Sequence, residues 1–209
     1  MPDALAAIHE RISAHHFDST KPVSDDLIRE LVTDATHAPS SFNIQHWRFI
    51  AVTDQAQKDA LVGAAYGQKQ VAEAPVTFLI LGDPDAYTTL TATLEPSVAA
   101  GLVPAEMAAT WAGMASGMYG SNPGFARDEA IRSGSLAAMT LMLAATARGL
   151  VSGPMIGFDP AAVKQILGIP ERLIPVMLLP VGYPAPGNTP RKPRLGLDKV
   201  LAFNNGKQF

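Results

Sequence analysis

The sequence predicts an α+β fold, a small mixed sheet flanked by helices, and three observations carry that prediction. The elements read in the order α-α-β-α-β-(helical insert)-α-β-α-β, which is not the regular strand–helix alternation of a doubly wound sheet. The strands are short apolar runs bounded by Pro, Gly and Asp. One long helix is apolar on nearly every side in its second half, so a sheet, other helices or a second subunit must cover it.

Each element has a local reason. Leu5, Ile8 and Ile12 recur at helical spacing and predict an amphipathic first helix. Ser24 is the expected N-cap of the second, with Asp25 and Asp26 favourable in the positive first turn. Leu27, Ile28, Leu31, Val32 and Ala35 form its apolar face, and Ala38-Pro39-Ser40-Ser41 breaks it. A strand is expected over Trp47 to Val52, then a helix capped by Asp54 with Gln57 at the capping-box position. Val76 to Leu81 reads as a buried strand. An Ala/Thr/Met-rich stretch follows between Asp83 and Asn122, where helix limits are hard to set. Ala126 to Arg148 is the long helix, ended by Gly149. Asp159-Pro160 starts a short helix that Gly168 closes. Leu173 to Val181 is a further strand, and Tyr183 to Arg194 is too rich in Pro and Gly for a helix. No linker or internal repeat divides the chain, so one domain is expected over 1–209, with a variable helical insert at about 85–122.

Composition narrows the function. Hydrophobic residues make up 47% and charged residues 17%, a balance that folds. The net charge of −3 lacks the basic excess of a nucleic-acid binder. Cysteine is absent, which excludes disulfides, thiol nucleophiles and thiolate-bound metals. No secretory signal is visible, and the longest apolar run, Leu136 to Ala147, is shorter than the roughly 20 residues of a membrane span. A cytoplasmic protein is expected, with neither membrane nor nucleic acid as partner. There is no GxGxxG fingerprint, P-loop, zincin motif or G-x-S-x-G elbow. No metal site and no catalytic side-chain dyad are expected.

Three polar clusters remain: Arg11 to Phe17, Pro39 to Trp47, and Lys192-Pro193-Arg194. Arginine, lysine and hydroxyl groups together suit a phosphate, because guanidinium bonds can be bidentate and serine adds a directional donor. Asn and Gln carry donors and acceptors for the amide-like edge of a heterocycle. Singly, each cluster reads as well as a solvated helix face, a helix terminator or a surface tail.

Taken in order, the motifs R-x-S-x-x-x-F, A-P-S-S-x-N-x-Q-x-W, G-Q-K-Q-V, P-M-x-G-F-D and K-x-R resemble the FMN-dependent nitroreductase family over nearly the whole chain. That resemblance implies an intertwined homodimer with FMN held between subunits. It assigns cofactor contacts to Arg11, Ile12, Ser13, His15, Pro39, Ser40, Ser41, Asn43, Gln45, Gln68, Pro154, Met155, Ile156, Gly157, Lys192 and Arg194. Arg11, Ser13, Lys192 and Arg194 would hold the phosphate. Asn43 would bond the flavin or its ribityl chain beside Ser40 and Ser41, the two serines coming from the partner subunit. Gln68 would reach the pyrimidine edge, and an N–H of Ile156 or Gly157 would point at N5 or O4. The implied activity takes hydride from NADH or NADPH and reduces electron-poor acceptors such as nitroaromatics or quinones. Hydride transfer of that kind needs positioning more than side-chain acid–base chemistry.

Two positions depart from the family pattern. His15 stands where Lys or Arg is usual beside flavin N1, which makes a charge there conditional, and His46 replaces the common proline before Trp47. The same FMN pocket could instead serve reductive dehalogenation, flavin fragmentation or a low-turnover redox sensor. Met107, Met114, Met118, Tyr119 and Phe125, in the insert, read as core or intersubunit packing, with a flexible apolar lid as the alternative.

Overall fold

The computed structural model describes residues 4–207. Helix α1 (Ala4–Glu10) and α2 (Asp25–Ala35) precede strand β1 (Trp47–Val52). Helices α3 (Gln55–Ala64) and α4 (Gln70–Glu73) lead to β2 (Val76–Gly82). The insert contains a 3-10 turn, α5 (Leu90–Ala99) and α6 (Ala105–Gly120). Then come α7 (Pro123–Ala147), β3 (Val151–Ser152), α8 (Pro160–Leu167), β4 (Ile174–Gly182) and α9 (Leu197–Val200).

The sheet runs β1-β2-β4-β3, so β1 and β3 are its opposite edges. Its three strand pairs are antiparallel; the parallel component expected of a mixed sheet is a single bridge between Ser13 and Ser152. Strand β2 is buried at every position, and its side chains serve two cores. Phe78 and Ile80 pack with Ile28, Leu31, Leu141 and Ala145 from α2 and α7. Leu79 and Leu81 pack with Leu61 and Val163 from α3 and α8. Burial on both faces explains why β2 reads as an apolar run broken by Thr77 alone, whose hydroxyl donates to the Val71 carbonyl, rather than as an alternation.

Local chemistry sets the helix ends. Ser24 accepts the Leu27 N–H at 3.2 Å, Asp54 the Gln57 N–H at 2.9 Å, and Asp159 those of Ala161 and Ala162. Gly149 and Gly168 follow their helices at φ +75° and +63°, where a Cβ would be strained. Helix α7 begins three residues earlier than expected, at Pro123, because Asn122 caps it through the Phe125 N–H. At 25 residues it is long and apolar enough to cross a membrane by composition, but Ala137, Ala138, Leu141, Met142 and Ala145 are buried against this chain's own core. Helix α1 is shorter than its periodicity suggests. It stops at Glu10, so Ile12 lies outside it, and it buries Ala7 while Leu5 and Ile8 stay exposed. The pull on Ile12 is the adjacent bridge at Ser13, which needs extended backbone.

Candidate active site

Residues 11–16 and 188–194 meet beside strand β3. After α1, the Ala14 N–H donates to the Ser152 carbonyl at 2.9 Å, which lays residues 11–15 along β3. Gly153 allows this: a Cβ there would stand 2.4 Å from the Ala14 carbonyl oxygen, so any side chain would push the segment away. From the other terminus, the Asn188 side chain bonds the His15 N–H and both backbone groups of His16. Arg191 then donates to the carbonyls of Ile8 and Arg11, at the C-terminal end of α1 where acceptors are unsatisfied.

The result is a cavity of about 130 Å³ lined by Arg11, Ile12, Ser13, His15 and the 189–194 tail, including Arg191, Lys192 and Arg194. Among the described residues, its lining has four side chains of permanent positive charge and no carboxylate. Burial, and then the charges of Arg191 and Arg194, push the Arg11 guanidinium below its ordinary pKa. Arg11 spends Nη1 on the Ile12 carbonyl, and its buried Nε has no partner among the described residues. Mutually repelling cations with an orphaned donor are costly until an anion joins them. The donor set fits a phosphate monoester, as the sequence suggests for Arg11, Ser13, Lys192 and Arg194. Arg191 lies outside the K-x-R motif but belongs to the same basic run, Arg191-Lys192-Pro193-Arg194.

A second group continues from the first. Ser152, adjacent to Gly153, is buried, and its hydroxyl has no partner among the described residues. The chain then turns through Pro154, Met155, Ile156 and Gly157. Met155 exchanges two backbone bonds with Leu178 of β4, and the Phe158 N–H donates to the Ile156 carbonyl. Among the described residues, the Ile156 and Gly157 N–H groups have no backbone acceptor. Gln68 reaches this turn, donating to the Gly157 carbonyl at 2.7 Å and to Ala65 at 3.1 Å, while Gln70 donates to its oxygen. Gln68 thus braces the 154–157 turn in this structure. The cationic cavity is linked through the Ser13–Ser152 bridge and residues 152–157 to Gln68.

The third group lies elsewhere. Residues 40–46 lead into β1, at the sheet edge opposite β3. Phe42, Asn43 and Gln45 all have positive φ, at 51°, 58° and 58°. Asn tolerates that region, but Phe and Gln do not, and such strain persists only where its surroundings enforce it. Here the Ser40 hydroxyl accepts the Gln45 N–H at 2.9 Å and the Ser41 hydroxyl accepts from Tyr119 at 2.8 Å. Pro39 and Asn43 are exposed. One chain therefore brings Arg11, Ser13, His15, Gln68, 154–157, Lys192 and Arg194 to one edge of the sheet and Ser40, Ser41, Asn43 and Gln45 to the other.

Behind that loop, His46 is fully buried. Its Nδ1 lies 3.3 Å from the Ser133 hydroxyl, which also contacts Glu129, itself paired with Arg132. Its Nε2 has no partner among the described residues. Burial lowers the imidazole pKa against the opposing pull of Glu129 and Asp83.

The sequence profile of the nitroreductase family matches residues 8–183. The chain is 36% identical to YodC of Bacillus subtilis, named as a candidate NAD(P)H nitroreductase, over 97% of this chain and 100% of that protein. It is 35% identical to an NADH dehydrogenase of Thermus thermophilus over 96% of each chain. Among solved structures, an Exiguobacterium sibiricum protein in complex with FMN superposes with a TM-score of 0.90 at 28% identity, covering 97% of this chain and 98% of that one.

Proposed function

This chain belongs to the nitroreductase family, and we propose that it works as a homodimeric FMN oxidoreductase using NADH or NADPH to reduce electron-poor acceptors, nitroaromatics and quinones among them. The observation that carries this reading is the cavity at Arg11, Lys192 and Arg194, free of carboxylates among the described residues, sized and charged for a phosphate, with the unspent donors of Arg11 and Ser152 beside it. FMN, when bound, supplies the hydride chemistry. The protein's part is to bind and orient.

Arg11, Lys192 and Arg194 would hold the phosphate by charge-assisted bonds, with Ser13 adding a directional donor. The Ile156 and Gly157 N–H groups, fixed by the Met155–Leu178 pairing, would donate to the polar edge of the ring. His15 lines the cationic cavity, whereas the His16 ring packs at Gly187, so His15 is the imidazole available to the cofactor. Ser40, Ser41 and Asn43 can join this site only from a second copy, because within one chain they occupy the far edge of the sheet. Exposed apolar side chains on α6, α7 and the tail suit that association.

The test is direct. Purified protein should be yellow, carry about one FMN per chain, and oxidise NADH or NADPH when an acceptor is added. Protein without a flavin band after incubation with FMN would overturn the assignment. A bound flavin with no turnover on either nucleotide would favour the sensor reading instead.

A further inference from the structure

Tyr119 lies in the insert, and its side chain reaches out of it. The residue sits near the end of α6 and is 2% exposed. Its ring stacks on Phe125 with centroids 5.5 Å apart and planes 13° from parallel, meets Tyr87 at 5.8 Å, and takes His46 edge-on at 5.8 Å. A ring held on three sides has little freedom, so its hydroxyl is fixed. Burial also raises the phenol's pKa, which keeps the proton available for donation. That hydroxyl lies 2.8 Å from the Ser41 Oγ, and a phenol, far more acidic than an aliphatic alcohol, is the better donor of the two.

A serine hydroxyl offers one donor and two acceptor lone pairs, and its rotor normally turns to suit its surroundings. With a lone pair occupied by a buried, immobile donor, the Ser41 hydrogen must turn away from Tyr119. Ser41 is only half-buried, so that hydrogen is free to meet a ligand. Ser40 beside it is set in the same sense, since its oxygen already accepts the Gln45 N–H. The same two hydroxyl bonds hold the loop in its left-handed turns at Phe42, Asn43 and Gln45.

Resting on the FMN reading above, we infer that Tyr119 is a positioning residue, presetting Ser41 as a one-way hydrogen-bond donor to an acceptor atom of the bound FMN. It acts through Ser41 and does not itself touch the cofactor. It also ties the insert helix α6 to the cofactor loop.

Tyr119→Phe removes one oxygen and preserves the ring stack. FMN affinity, the position of the visible flavin band and the thermal midpoint should be measured for the wild type, Tyr119→Phe, Ser41→Ala and the double variant. The expected result is an FMN dissociation constant raised about three- to ten-fold in each single variant, the usual worth of one hydrogen bond. The double variant should be no worse than Ser41→Ala alone, because residues acting through one contact are not additive. The flavin band should move in the same direction in both single variants. Additive losses, or a lowered melting midpoint with an unmoved band, would make Tyr119 merely structural and overturn the inference. So would unchanged FMN binding in either single variant. A wild-type protein that takes up no FMN would instead remove the assigned function, and the role of Tyr119 with it.

Discussion

Asn188 grips His16 from both sides. Its side-chain oxygen accepts the His16 N–H at 3.1 Å, and its amide donates to the His16 carbonyl at 2.7 Å. The same oxygen accepts the His15 N–H at 2.8 Å. One asparagine thereby satisfies three backbone groups of the N-terminal arm and brings the basic tail over Arg11.

Asn188→Ala should therefore weaken FMN binding although Asn188 is not part of the cationic lining. The tail would keep its charges but lose its anchor, so they would be placed less well. An affinity loss of about ten-fold is expected, from two or more hydrogen bonds near 1 kcal/mol each partly replaced by water. Fluorescence titration of FMN into the variant measures it. Affinity equal to wild type would mean that Arg191 alone anchors the tail.

Within the tail, the three cations should not be equivalent. Arg191 is committed to the carbonyls at the end of α1, whereas Lys192 and Arg194 are exposed. Arg194→Ala should weaken FMN binding more than Lys192→Ala, because a guanidinium can bond two phosphate oxygens at once. A lost charge-assisted bond costs about 1.5–3 kcal/mol, or roughly ten- to a hundred-fold in affinity. Arg191→Ala should also lower the thermal midpoint of the FMN-free protein, which the other two should not. Equal dissociation constants for wild type and Arg194→Ala would place that side chain outside the phosphate site.

The exposed apolar surface predicts an obligate homodimer. Leu136 and Met139 stand on the outer side of α7, Met107, Met114 and Met118 on α6, and Leu195, Leu197 and Phe203 on the tail. Side chains this apolar in several neighbouring elements normally mark an interface. Of the insert residues, Tyr119 is core, while the three methionines remain for intersubunit packing or a lid. Sedimentation should give a dimer at micromolar concentration. Leu136→Glu with Met139→Glu should shift it toward monomer and lower FMN affinity at the same time. A stable monomer that retains one FMN per chain would contradict this.

Much of the fold is legible because its causes are local. Ser24, Asp54 and Asp159 cap helices through bonds spanning two or three residues, and the doubly buried β2 announces itself as an apolar run interrupted by Thr77 alone. The causes that escape a sequence reading act at long range. Asn188 meets His16 across 172 positions, and Arg191 meets Arg11 across 180. Neither residue differs in type from an ordinary turn asparagine or tail arginine. The site follows the same division. Residue types suited to phosphate could be named, but only the fold shows that Arg11 and Lys192 share a cavity while Ser40 and Asn43 sit at the opposite sheet edge. Helix α5 was hidden for another reason: Pro96 lies inside it and breaks its pattern.

His46 should make the protein acid-sensitive. Its ring is wholly buried, with Nδ1 on Ser133 and Nε2 unpartnered among the described residues, so the folded state favours neutral imidazole. Burial is the main cause of the lowered pKa, Arg48 adds to it, and the carboxylates of Glu129 and Asp83 oppose it without cancelling it. With the folded pKa below the unfolded value, the unfolded chain binds the proton first as pH falls. The stabilising contribution is therefore complete above the unfolded imidazole pKa, about 6.5. It is lost progressively below that value until the folded pKa is reached, at no more than about 1.4 kcal/mol per pH unit for one proton. His46→Asn keeps an amide near Ser133 and does not titrate. Urea midpoints of wild type and His46→Asn between about pH 7.5 and 5, at one saturating FMN concentration, should diverge at the acid end, with wild type falling faster. Parallel curves across that range would show that the imidazole finds a proton acceptor in the folded state, most directly Glu129 through Ser133.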